Sequence, residues 1–83
     1  MIVAVDLDRV AERAFDEAQR HPARSAKRRA AGHLWIALTI PPAKSVDAAK
    51  TAIASFGTPR NQADALALMH QLAAAATEQE TPA

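Results

Sequence analysis

Alanine supplies 22 of the 83 residues of this chain, about half of everything apolar in it. No residue has a better helix propensity, yet alanine buries little area, and each buried methylene contributes only roughly 0.8 kcal/mol. Such a chain forms helices readily and encloses a thin core. At this length only about 60–65% of the surface exposed by the unfolded chain is buried on folding, enough for a single domain. Phe15, Trp35 and Phe56 are the aromatic residues. With Val10, Leu34, Ile36, Leu38, Ile40, Val46, Ile53, Leu66, Met69 and Leu72 they are expected to carry most of the hydrophobic stabilisation. Self-association is one way to enlarge so small a core.

The apolar pattern begins after Asp6, a residue suited to an N-cap. Leu7, Val10, Ala11, Ala14, Phe15 and Ala18 then recur at helical spacing and predict an amphipathic first helix. Its outer face offers Arg13 to Glu17 and Asp16 to Arg20 at i, i+4. Pro22 suits the first position of a second helix and Gly32 its terminator, which would put Arg28 and Arg29 in the last turn, where cations complement the helix dipole. From Leu34 to Ile40 the residues alternate, with Leu34, Ile36, Leu38 and Ile40 on one side and Trp35, Ala37 and Thr39 on the other. That period of two, bounded by Gly and Pro, predicts a strand. Ile2–Val5 is the stretch that would pair with it, within one chain or across a dimer. The alternative is a second helix running on to Pro41.

Further on, Ser45 caps a helix carrying Val46, Ala49, Ile53 and Phe56, and Gly57 stops it. Thr58 followed by Pro59 opens the last helix, which runs to about Thr77. Its stripe is Leu66, Met69, Leu72, Ala73 and Ala76. Leu68 and the Ala73–Ala76 tract leave it apolar over much of its circumference, so it should be central or covered by another subunit. The expected fold is α+β: a small, mainly helical single domain over residues 1–77, with four helices, a minimal two-stranded element and a polar tail over 78–83. An all-α bundle is the alternative.

Several chemistries are excluded. Without cysteine there is no disulfide, thiolate catalyst or zinc ribbon. Two glycines cannot build a P-loop or a dinucleotide fingerprint. Ser25, Ser45 and Ser55 lie outside any nucleophile elbow. No two of His21, His33 and His70 have the i, i+4 spacing of a helical metal site, so they read as surface or satisfied core residues, and neither metal nor cofactor is expected. The N-terminus lacks the basic and long apolar regions of a signal peptide, and no stretch approaches the ~20 apolar residues of a membrane helix, so a cytoplasmic protein without membrane contact is expected.

Residues 2–10, Ile-Val-Ala-Val-Asp-Leu-Asp-Arg-Val, resemble the first motif of the haloacid dehalogenase-like phosphatases, four apolar residues and then Asp-x-Asp-x-Val. The resemblance implies Asp6 as a nucleophile and Asp8 as a general acid. That family also needs a Ser/Thr after a second strand, a Lys that balances the phosphate charge and a later acidic pair for magnesium, all on a much larger parallel sheet. None of these has room here. Asp6 and Asp8 are therefore read as capping residues at the positive end of a helix, and the protein as a non-enzyme.

What remains is charge. Residues 1–19 carry net −3, residues 20–33 carry +5 without one acid, and residues 34–83 carry −1, so a total of +1 conceals a cationic segment. Arg20, Arg24, Lys27, Arg28 and Arg29, with the neighbouring Trp35 and with Arg60 at the start of the last helix, are the candidate binding residues. If the segment is helical, Arg24, Lys27 and Arg28 share a face, with Ala23, Ala26 and Ala30 on the other. Arg60, Asn61 and Gln62 could meet a phosphate or a base edge. Trp and Arg are enriched among interface hot spots, so the leading expectation is a small regulator or inhibitor that docks on an acidic protein surface. A mobile-element inhibitor of a host defence complex fits that size. A DNA- or RNA-binding module, dimeric, is the alternative.

Overall fold

A computed structural model describes residues 6–80, with side chains through Ala75. Among the described residues there are four helices, α1 (Leu7–Arg20), α2 (Ala26–Thr39), α3 (Val46–Ile53) and α4 (Pro59–Glu80), and no strand. Three of the helices start where local chemistry dictates. Asp6 accepts from the Arg9 N–H at 3.2 Å, Ser45 from Ala48 at 3.0 Å, and Thr58 from Asn61 at 3.2 Å with Pro59 behind it. An N-cap of this kind is worth about 1 kcal/mol relative to alanine.

The expected strand at Leu34–Ile40 is corrected: α2 passes through Gly32 and continues to Thr39. The arrangement is that of the all-α bundle, and Ile2–Val5, the proposed strand partner, lies outside the described residues. A helix satisfies its own backbone groups, whereas a strand here would have needed an edge to pair with. The core face of α2 is Ala30, Ala31, Leu34, Ala37 and Leu38, a helical stripe whose small members count fully as core. Ile36 and Ile40, which the alternation grouped with Leu34 and Leu38, are 41% and 66% exposed. Gly32 costs up to about 1 kcal/mol in a helix interior, a penalty too small to break the helix.

The start of α2 also differs from expectation. Its cap is Ser25, whose hydroxyl accepts from the Arg28 N–H at 3.2 Å, while the Pro22 carbonyl accepts both the N–H and the hydroxyl of Ser25 at 3.0 and 2.8 Å. Pro22 thus belongs to a turn before the helix. Arg28 and Arg29 consequently sit in the first turn of α2, not the last, at the unfavourable end of the dipole.

α1 and α2 form an antiparallel hairpin, and α4 packs across both. Val10, Ala11 and Ala14 meet Leu34, Ala37 and Leu38, with Ala49 and Ile53 from α3 and Ala65, Met69 and Leu72 from α4. Leu34, Met69 and Val10 are the largest fully buried side chains, each worth about 1.5–3 kcal/mol. Phe15, Ile36, Ile40 and Phe56, expected in the core, stay exposed, and Leu66, Leu68 and Ala73 are half-buried along α4. α4 itself continues past Thr77 to Glu80.

Candidate functional site

The five residues between α1 and α2 return the chain so that the first turn of α2 projects beside the end of α1. That turn holds Lys27, Arg28 and Arg29 and no acid. A helix N-terminus already carries about half a positive charge, so each exposed cation there is unfavourable by roughly 0.3–1 kcal/mol. Backbone carbonyls hold two of them: the Arg28 guanidinium donates to His21 O at 3.3 Å and that of Arg29 to Arg24 O at 3.2 Å. Arg20 alone among the candidate cations meets a carboxylate of a described residue, Glu17, at 3.4 Å, in place of the Asp16 pairing that its spacing offered. The other oxygen of Glu17 lies 3.2 Å from His21 Nε2. Among the described residues no carboxylate pairs with Arg24, Lys27, Arg28, Arg29 or Arg60.

The helix register spreads these cations around one end of α2. Lys27 lines a groove with Glu17, His21, Asp64 and Leu68 between α1, α2 and α4. Arg29 lines a neighbouring groove with Arg60, Thr58, Asn61 and Asp64, so the starts of α2 and α4 bring together two arginines far apart in sequence. Arg24 and Ala23 precede the helix, and Ala23 and Ala26 are exposed instead of packed. Of the trio at the start of α4, only Arg60 keeps its side chain outward. The Asn61 amide is 3.0 Å from His33 Nδ1, and the Gln62 amide donates to the carbonyls of Ala54, Phe56 and Gly57 at 3.4, 2.9 and 3.2 Å.

Trp35 stands on a different flank. Its ring centroid is 5.9 Å from that of Phe15, tilted by 51°, and the two rings share an open groove with Asp8, Glu12 and Asp16. Asp8 occupies the first turn of α1 beside the cap Asp6, as the capping reading requires.

Sequence reasoning did not find the polar junction around His33. This buried side chain places Nε2 2.9 Å from the Ile53 carbonyl, so Nε2 carries the proton and Nδ1 accepts from Asn61. Its ring stacks on Phe56 at 4.0 Å and 4°. Gly57 has φ +80°, and a Cβ there would sit 2.5 Å from His33 Cε1, so the turn after α3 needs glycine for both conformation and space. The junction ties α2 to the end of α3 and the start of α4, a structural role in which both ring nitrogens are already occupied.

Among the described residues, no three His, Asp or Glu side chains come together as a metal cluster, and no helix is long and apolar enough to cross a membrane. No protein-family model matches the chain, and neither a curated protein nor a solved structure does.

Proposed function

We propose that this protein is a non-enzymatic regulator or inhibitor that docks on an acidic surface of a larger protein assembly through the cations at the start of α2. The supporting observation is that Lys27, Arg28 and Arg29 occupy the positive end of a helix with no carboxylate paired to them among the described residues. The local electrostatics of the fold disfavour this placement, whereas an acidic partner would reverse its sign. Arg20, Arg24 and Arg60 extend the same positive end. Trp35, two turns further along α2, borders this surface on the flank that it shares with Phe15, Asp8 and Glu12. The reading is tested by affinity capture with the intact protein against Arg24→Glu/Lys27→Glu/Arg28→Glu. Loss of the captured partner from the triple variant is expected, and the same partner recovered by both would overturn it.

Nucleic acid is the second reading, supported by Arg29 and Arg60 lining one groove beside two helix N-termini. Asn61 and Gln62 are committed inside the protein, which leaves phosphate contact without base readout. Three to five phosphate contacts would give a salt slope of about −3 to −4.5 in log K against log salt. Titrating duplex DNA at several salt concentrations separates the readings, because a protein-specific docking surface gives no DNA binding at moderate salt.

A further inference from the structure

The flank of the α1–α2 hairpin is charged in opposite senses at its two ends. On α1, Asp8 and Glu12 lie one turn apart at the end away from the hairpin tip, with Asp16 one residue beyond Phe15, and among the described residues none of the three is paired with a cation. Like charges at this spacing repel, so the row is unfavourable by itself. Toward the hairpin tip lie Arg24 and Arg28. Arg28 and Trp35 are seven residues apart in α2 and therefore share a helix face, about 10 Å from each other. Between the acidic and basic ends sit Phe15, 46% exposed, and half-buried Trp35. An aromatic centre flanked by carboxylates on one side and guanidinium groups on the other is complementary to itself when turned through 180°.

We infer that this flank is the contact surface for a second copy of the chain, in an isologous dimer with Phe15 and Trp35 at the two-fold axis. The inference rests on reading the Arg24–Arg29 surface as a docking surface, and it names the occupant in the absence of a larger partner. Turned about the axis, the arginines of one copy face Asp8 and Glu12 of the other, and the reverse holds across the axis, so one patch serves both roles and the assembly closes at two. Guanidinium groups suit such a site because they bind carboxylates in a forked geometry and stack on aromatic faces. Asp8, Glu12 and Arg24 are exposed and Arg28 is half-buried, so association is weak and sensitive to salt. The pairing also draws Phe15 and Trp35 out of water, which the thin core of a single chain does not do.

The test is analytical ultracentrifugation of the intact protein over a concentration series, with Trp35, the sole tryptophan, as a fluorescence reporter. Wild type is expected to move toward dimer with concentration, with a blue shift of Trp35 emission. Both effects should be lost on going from about 0.01 to 1 M salt, which shortens the screening length from about 30 to 3 Å. Asp8→Lys/Glu12→Lys and Arg24→Glu/Arg28→Glu should each be monomeric alone and form a 1:1 heterodimer when mixed. Asp8→Asn/Glu12→Gln, gentler on the helix, should also lose the dimer, and circular dichroism establishes that each variant is folded. A wild type that stays monomeric, or a dimer that folded variants retain, overturns the inference. A monomeric wild type whose acidic partner is still lost in the Arg24/Lys27/Arg28 reversal leaves the docking function standing.

Discussion

Polar groups meet α2 at two places and are treated in opposite ways. At His33 the ring is buried, both nitrogens have partners, and one face is covered by Phe56. At the first turn, three cations crowd a helix N-terminus, two of them held by carbonyls and none opposed by carboxylates of the described residues. The first place follows the rule that a buried polar group must be satisfied, and its residues explain the fold. The second runs against the electrostatics of its own helix, so its residues are not explained by stability. That contrast separates architecture from candidate function more cleanly than exposure does, since Phe56 and Arg29 are both exposed, yet Phe56 covers a buried ring while Arg29 reaches only the Arg24 carbonyl.

The contrast can be broken most directly at Gly57. Gly57→Ala should lower unfolding stability by about 2–4 kcal/mol in urea denaturation, combining a left-handed backbone with a displaced His33 ring. A loss below about 1 kcal/mol would mean that the ring is not fixed where the hydrogen bonds put it. His33→Ala comes next, at about 2–3 kcal/mol, because it removes a stacked ring and strands the Ile53 carbonyl and Asn61 amide. His33→Gln should recover part of this by keeping one hydrogen bond. Gly32→Ala should act in the opposite direction, stabilising by about 0.5–1 kcal/mol, since a Cβ there meets nothing within 4 Å. The smallest effect sharpens the comparison most. Arg28→Glu replaces a cation in the first turn of α2 with an acid that complements the helix dipole, so the melting transition should rise by the equivalent of about 0.5 kcal/mol while docking weakens. A marked fall in stability instead would give Arg28 a structural role.

The sequence revealed the helix starts at Asp6, Ser45 and Thr58-Pro59 because cap chemistry is complete within four residues. It misplaced α2 because Gly32 looks like a stop and because alternation among Leu34, Ile36, Leu38 and Ile40 outweighs a stripe built from Ala30, Ala31 and Ala37. Small side chains contribute little to any pattern of hydrophobicity, yet in a tight interior their positions are as constrained as those of leucine. The His33 junction was illegible for another reason: its hydrogen-bond partners lie 20 and 28 residues away, at a separation where no local spacing rule applies. Charge segregation in residues 20–33 was plain from composition, but its meaning depended on helix register. Moving the start of α2 from Pro22 to Ala26 transfers Arg28 and Arg29 from the favourable end of a dipole to the unfavourable one, and only the folded hairpin shows that Trp35 packs against Phe15 beside Asp8 and Glu12.

Among the described residues, the four alanines with no exposed surface, Ala14, Ala31, Ala49 and Ala65, are distributed one to each helix. Where backbones approach to within a methyl group of each other, shrinking a residue to glycine costs about 1 kcal/mol of helix propensity, but adding even two carbons must push a whole helix outward. Evolutionary drift at these sites is therefore one-sided. Replacement by glycine or serine should be survivable, whereas valine or leucine, the substitutions usually regarded as conservative in a protein interior, should be the ones that natural variants avoid.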